Sequence, residues 1–235
     1  MKKLIALTIA VVLSVMFINN KKVERVENLD VSSAEGLVLK EAFPDDSFRS
    51  WMIRNIKYCN DGVLTDEEIE HIIGIEVSCD DIEGIQYLTS LKTLIWRNGK
   101  RKSVDLSSLT NLINLNIISD QFEEINLDGC PNLKVVHLSG KFSSYPTIKE
   151  LDFSKLASLN VLTVRNMQLE SIKFPEDTRN LDYLAITNTT LEQLTLPEMN
   201  LGTLDISRNY WLAYLDTKAV TAKRTILEQN NVPIY

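Results

Sequence analysis

Hydrophobic residues recur along most of this chain in a fixed pattern, with apolar side chains at the first, fourth and sixth positions of each copy. The copies begin at residues 72, 91, 112, 133, 159, 181 and 201, so successive steps are 19, 21, 21, 26, 22 and 20 residues. The triplets are Ile72, Ile75 and Val77; Leu91, Leu94 and Trp96; Leu112, Leu115 and Ile117; Leu133, Val136 and Leu138; Leu159, Leu162 and Val164; Leu181, Leu184 and Ile186; Leu201, Leu204 and Ile206. This spacing indicates one short strand per repeat.

Such a period is the leucine-rich-repeat signature, and it predicts a β-rich solenoid of seven repeats with parallel strands over residues 72–216. A single repeat cannot bury its apolar face alone, so neighbouring repeats must stack. A second apolar pair recurs between the triplets in segments that contain Pro, Asn and β-branched residues, which favours extended backs with little helix. The longer copy that begins at Leu133 contains residues 140–146, which we expect to form a bulging surface loop.

The two ends of a solenoid need caps, because the first and last repeats expose an apolar edge. Residues 43–71 predict a small helical N-terminal cap. A helix start at Pro44 precedes apolar residues at helical spacing, and Thr65 with Glu68 forms the capping box of a second helix. The apolar residues of the first helix are Phe48, Trp51, Met52 and Ile56. Residues 217–235 predict a short C-terminal cap, with helical character from 217 to 229.

The turn between the two cap helices has the outline of a calcium-binding EF-hand loop. Gly62 occupies loop position 6 and Glu68 the closing position 12. Calcium also needs oxygen ligands at positions 1, 3 and 5. Lys57 and Cys59 stand at the first two, so only Asp61 is a carboxylate. We therefore interpret this turn as a degenerate loop that keeps its helix-turn-helix geometry and binds no metal.

Three segments carry a resemblance to a known family. Residues 43–49, 61–68 and 82–94 read FPDDSFR, DGVLTDEE and IEGIQYLTSLKTL. They resemble secreted bacterial leucine-rich-repeat proteins with short, internalin-like repeats and an EF-hand-like or dockerin-like N-terminal cap, over roughly residues 43–216. The resemblance implies a surface or secreted protein that acts in adhesion or recognition. The chain departs from the family at the ninth repeat position, usually Asn, which holds Asp80, Gly99, Asp120, Lys141, Met167, Thr189 and Asn209. A continuous asparagine ladder is therefore not expected.

The N-terminus predicts an exported protein. Two lysines precede an apolar run from Leu4 to Ile18, which is shorter than the ~20 residues of a membrane-spanning helix and typical of a secretory signal peptide. We assign residues 1–20 to this signal peptide and the polar residues 21–42 to a tether. The predicted location is secreted or cell surface. Contact with a membrane would occur only if the N-terminal segment stays uncleaved.

Composition and motifs limit the functions that this chain is expected to perform. A net charge of −7 argues against binding to nucleic acid, which usually needs a basic stripe. No catalytic or cofactor motif is found, so we predict no cofactor and no enzyme activity. Cys59 and Cys79 could pair, which would leave Cys130 over, and the pairing is open at this stage. Cys130 itself lies in a turn where a small buried residue is expected.

Residues at the third, fifth and seventh positions of each copy point away from the core, because strand side chains alternate. We call this surface the main-sheet face. Its central column is Glu76, Ile95, Asn116, His137, Thr163, Ala185 and Asp205. The candidate binding residues on this face are Arg97, Asn116, His137, Arg165 and Tyr183, since Arg and Tyr often anchor interfaces.

These observations favour a binding module that recognises a protein or glycan through the main-sheet face. An alternative is a structural, display or self-associating surface protein. A hydrolase that uses His137 is less favoured, because Asn116 and Thr163 are its predicted neighbours and no carboxylate or nucleophile is predicted beside it.

Overall fold

The computed structural model describes residues 36–141, 146–175 and 180–228. The predicted signal peptide (1–20), most of the tether (21–42), part of the predicted loop (142–145) and residues 229–235 lie outside the described residues. Within the described part of the chain, no helix combines the length and the hydrophobicity needed to cross a membrane.

Residues 36–71 form short helices and a two-stranded sheet ahead of the repeats, and we call this segment the N-terminal cap. Its elements are β1 (Leu37–Val38), α1 (Leu39–Ala42), α2 (Asp46–Asn55), a 3-10 turn (Lys57–Cys59), β2 (Val63–Leu64) and α3 (Asp66–Glu70). The β1 strand pairs with β2, and Leu39 is buried, so the end of the predicted tether belongs to the cap. Asp45 starts α2 by accepting a hydrogen bond from the Phe48 amide at 2.7 Å. The predicted capping box of Thr65 and Glu68 is present at α3.

The strands confirm a parallel solenoid of seven repeats. Those that follow the cap are β3 (Gly74–Ser78), β4 (Thr93–Gly99), β5 (Ser103–Asp105), β6 (Asn114–Ser119), β7 (Glu124–Asn126), β8 (Val135–Ser139), β9 (Thr147–Asp152), β10 (Val161–Lys173), β11 (Asn180–Thr189), β12 (Gln193–Thr195), β13 (Met199–Asp205), β14 (Tyr214–Asp216) and β15 (Val220–Ile226). The main sheet has the order β3-β4-β6-β8-β10-β11-β13-β15, with every pairing parallel. The remaining short strands pair on the back, as the second apolar pairs predict.

The repeat pattern builds the core directly. Leu94 pairs in register with Leu115, which in turn pairs with Val136, and each is at most 1% exposed. Burying one such side chain contributes about 1.5–3 kcal/mol, so stacking alone holds adjacent repeats together. Trp96 extends this core, and its indole N–H donates to the Cys79 carbonyl at 2.9 Å.

The predicted helical character of residues 217–229 is wrong. Val220–Ile226 forms strand β15, which pairs in parallel with β13 from Met199 to Asp205. Val220 and Ala222 are half-buried and pack against the core, where they pair with Met199 and Leu201. The open edge of β13 lies beside this segment. Pairing with that edge satisfies the backbone N–H and C=O groups of residues 220–226, and this outweighs their intrinsic helix propensity.

Asn209 is the asparagine that the repeat turns retain at the ninth position. Its amide nitrogen donates to the carbonyls of Ile186 at 2.7 Å and Ile206 at 2.9 Å, while its oxygen accepts from the Thr189 amide at 2.9 Å. The side chain is 1% exposed. It therefore joins the last two repeats through buried hydrogen bonds, each worth about 1 kcal/mol.

At the eighth position of four repeats the backbone adopts a left-handed conformation. Asn98, Asn166, Asn188 and Arg208 all have positive φ there. Asn tolerates this left-handed conformation better than other non-glycine residues. Asn188 also donates to the Asn166 side chain at 2.8 Å, which gives a short polar ladder one residue earlier than in the resembled family.

All three cysteines are buried and unpaired, which settles the open question of Cys59 and Cys79. Burial raises the pKa of the Cys59 and Cys130 thiols to about 11 and that of Cys79 to about 12. Cys130 fills the turn as expected, and its thiol contacts the Leu106 carbonyl at 3.1 Å. These side chains act as small hydrophobes.

Candidate functional site

The EF-hand-like loop directs its carboxylates at its own backbone. Glu68 accepts hydrogen bonds from the amide and the hydroxyl of Thr65, both at 3.0 Å. Asp61 accepts from the Val63 amide at 3.1 Å. Over residues 36–141, 146–175 and 180–228, no group of three or more His, Cys, Asp or Glu side chains is arranged to hold a metal ion. The loop carboxylates thus stabilise the cap.

All five predicted binding residues lie on the main-sheet face, and the structure divides them into three sets. Asn116 and His137 are direct cross-strand neighbours on β6 and β8. Arg165 on β10 reaches Tyr183 on β11, with 3.3 Å between the guanidinium nitrogen and the phenol oxygen. Arg97 lies apart, on β4.

Arg97 has a structural partner. Its guanidinium donates to the Glu76 carboxylate at 2.9 Å, across the β3–β4 pair. Both side chains are about 40% exposed, so the pair contributes at most about 1 kcal/mol. Because its charge is balanced within the sheet, Arg97 is the weakest of the five candidates.

Asn116 and His137 have polar atoms available for a ligand. Both are half-buried, and neither side chain makes a hydrogen bond within the described residues. Thr163 follows His137 in the same column, so the predicted neighbours of His137 are confirmed. Burial, and then the charge of Arg165, lower the pKa of His137 below its usual value near 6.5. At neutral pH the ring is uncharged and can both donate and accept a hydrogen bond.

Part of the main-sheet face is less exposed than alternation alone predicts. Ile95 and Thr163 are each 6% exposed and Ala185 is fully buried, although Ile95 and Ala185 lie outside the core cluster. Thr163 and Ala185 are cross-strand neighbours, and on the same two strands they lie one level from Arg165 and from Tyr183. Thr163 and Ala185 thus form a floor beneath the Arg165–Tyr183 pair.

The sequence analysis missed Arg224 on β15. Tyr183 pairs with Thr203, which pairs with Arg224, so all three point to the main-sheet face at the same level. The pKa of Tyr183 is raised, mainly by burial and also by the charge of Asp205. The charges of Arg165 and Arg224 act in the opposite direction. The helix predicted for this segment concealed Arg224, because only the pairing of β15 with β13 places it on this face.

Comparisons with known proteins show the fold. No protein-family model matches this sequence, and no curated protein matches it. The functional domain of InlJ from Listeria monocytogenes, described as including a cysteine ladder, is 18% identical, with a TM-score of 0.57 over 86% of this chain and 45% of that chain. The internalin InlF of the same organism is 16% identical, with a TM-score of 0.39 over 84% of this chain and 79% of that chain.

This chain therefore spans less than half of the InlJ chain that it matches. The likeness to InlJ shows that the fold is a leucine-rich-repeat solenoid. Cys59, Cys79 and Cys130 are each buried and unpaired.

Proposed function

We propose that this protein is a secreted or surface-displayed leucine-rich-repeat module that binds a protein through its main-sheet face. The observation that carries the proposal is a row of polar side chains on successive strands: Asn116 and His137 make no side-chain hydrogen bond within the described residues, and Arg165 contacts Tyr183 but no carboxylate. Half-buried polar groups are normally satisfied, so these groups are suited to meeting a ligand or its bridging water.

The size and composition of this face favour a macromolecule. Eight strands about 4.8 Å apart span roughly 34 Å, which is sufficient for an ordinary protein interface. Half-buried Ile118, Val135 and Val161 lie between the polar residues. This mixture of aliphatic surface with Arg and Tyr is typical of protein interfaces and favours a protein over a glycan. Export rests on the predicted signal peptide.

The test is an array of secreted proteins and glycans probed with the full chain, followed by single alanine variants on any ligand found. We expect Asn116→Ala, His137→Ala, Arg165→Ala or Tyr183→Ala to weaken binding, with at least one losing about tenfold. Lys173→Ala is the matched control, because this exposed lysine lies on the back of the solenoid. Full binding by all four face variants, or an equal loss in the control, would contradict the proposal.

A further inference from the structure

We infer that the C-terminal part of the main-sheet face binds a carboxylate-rich segment of a protein partner. The site consists of Arg165, Tyr183 and Arg224, and we call it the arginine site. This inference rests on the proposed function and names the chemistry of the ligand that the face would take.

The two ends of the main-sheet face differ in charge balance. At the N-terminal end, Arg97 pairs with Glu76 at 2.9 Å, and on the adjoining turns Lys100 pairs with Asp80 at 2.9 Å. In contrast, neither Arg165 nor Arg224 forms an ion pair with a carboxylate of the described residues. The arginine site therefore presents two guanidinium groups that form no direct ion pair with a carboxylate of the described residues.

The geometry brings these groups to one place. The guanidinium of Arg165 lies 3.3 Å from the phenol oxygen of Tyr183. Arg224 stands at the level of Tyr183 two strands away, which corresponds to about 10 Å across the sheet. Between them, Thr203 pairs with both Tyr183 and Arg224 and is 9% exposed, and the next level of the face holds the fully buried Ala185 paired with Asp205. The site thus has short side chains at its centre and a cation at each side, with Asp205 one level away on the same face.

An acidic protein segment fits this arrangement better than a dense polyanion. The planar guanidinium of arginine matches a carboxylate through two parallel hydrogen bonds. The whole chain carries a net charge of −7, and Asp205 lies close to the site, so every added anionic group of a ligand meets repulsion, which penalises nucleic acid or a sulfated glycan more than a segment with few carboxylates. A peptide with a few separated carboxylates can meet both arginines and avoid Asp205.

The experiment titrates the full chain with a short synthetic peptide in which glutamate alternates with serine, and follows binding by calorimetry. We expect binding that weakens as salt is added, because the contact is electrostatic. The R165Q/R224Q double variant should bind roughly tenfold more weakly. The K102Q/K173Q double variant has the same change in net charge and removes two lysines remote from the arginine site, so it should bind like the unaltered chain. Thermal unfolding of each variant verifies that it is folded.

A failure of this inference is distinguishable from a failure of the proposed function. No binding of the glutamate peptide, equal binding of a glutamine-serine peptide, tighter binding of a heparin oligosaccharide, or an unchanged affinity in R165Q/R224Q would each overturn the inference. If an array ligand is lost on Asn116→Ala or His137→Ala while R165Q/R224Q keeps it, the inference alone fails. If none of the face variants affects that ligand, both fail.

Discussion

The cap at the N-terminal end of the solenoid buries two phenylalanine rings, whereas the last turn at the C-terminal end exposes three aromatic rings. Phe43 and Phe48 are fully buried in the cap and meet edge to face at 5.7 Å. At the other end, Tyr210, Trp211 and Tyr214 are 51%, 68% and 42% exposed. The cap is therefore a continuation of the core, while the last turn is an outer surface of the molecule.

The difference shows two ways to close a stack of parallel strands. An unpaired strand edge invites pairing with another chain unless it is covered or carries charge. At the N-terminus the helical cap packs its apolar residues onto the first repeat. The last strand in the sheet order, β15, carries Lys223 and Arg224 instead. Substitutions in the N-terminal cap should lower the stability of the fold. Substitutions on β15 should mainly change the self-association of the chain.

The largest effect is expected from Phe48→Ala. Removing a fully buried ring leaves a cavity and should lower the free energy of unfolding by about 3–5 kcal/mol. Trp211→Ala is the matched change at the exposed end and should cost less than about 0.5 kcal/mol. Urea denaturation compares the two, and equal losses would refute the contrast between the ends.

Gly84→Ala tests how the cap is joined to the first repeat. Gly84 has a φ of +98°, and a Cβ there would overlap the carbonyl oxygen of Ala42 and the ring of Phe43. We expect a loss of about 2–4 kcal/mol from strain and overpacking together. Gly62 has a φ of +85°, and a Cβ there would have nothing within 4 Å. Gly62→Ala therefore measures only the cost of a positive φ in a non-glycine residue, which is about 1–2 kcal/mol. Similar losses in both variants would show that the close approach is unimportant.

Arg208→Asn should stabilise the C-terminal end. Arg208 has a φ of +64° at the repeat position where Asn98, Asn166 and Asn188 adopt the same conformation. Asparagine accepts this conformation with less strain, so thermal unfolding should show a gain of up to about 1 kcal/mol. Arg208→Ala removes the same side chain without relieving the strain and should show no gain; a gain of the same size there would contradict this explanation.

The charges on β15 can be tested by sedimentation. We expect the Lys223→Thr, Arg224→Thr double variant to self-associate more than the unaltered chain, because its edge becomes uncharged and rich in β-branched residues. A double change of Lys102 and Lys173 to threonine, away from this edge, should leave association unchanged. An unaltered chain that already forms growing assemblies would favour the self-associating alternative.

The smallest effect concerns His137, midway between the two ends. Its folded-state pKa is lowered by burial and by Arg165, so the unfolded chain binds a proton more readily. Stability should therefore decrease as the pH falls through the unfolded value near 6.5 towards the folded pKa. His137→Gln should remove this part of the pH dependence in urea denaturation at pH 5 and pH 7.5. An unchanged dependence in the variant would show that other groups cause it.

The amino-acid sequence alone was sufficient for the repeated architecture. The triplets that include Leu94, Leu115 and Leu162 predict which side of each strand is buried, because that information is local and recurs. The capping box of Thr65 and Glu68 was also predictable, since it depends on residues three positions apart. The same alternation placed all five candidate binding residues on one face.

Contacts between distant segments were decided by tertiary structure. Val220–Ile226 is a strand because β13 offers it an edge, and only that pairing brings Arg224 to Tyr183. The partner of Arg97, Glu76, lies 21 residues away in the sequence, and whether two such charges meet depends on register. Residue spacing determines which side of a strand a side chain occupies, while its partners and its exposure are set by the neighbouring strands, which fold from other parts of the chain.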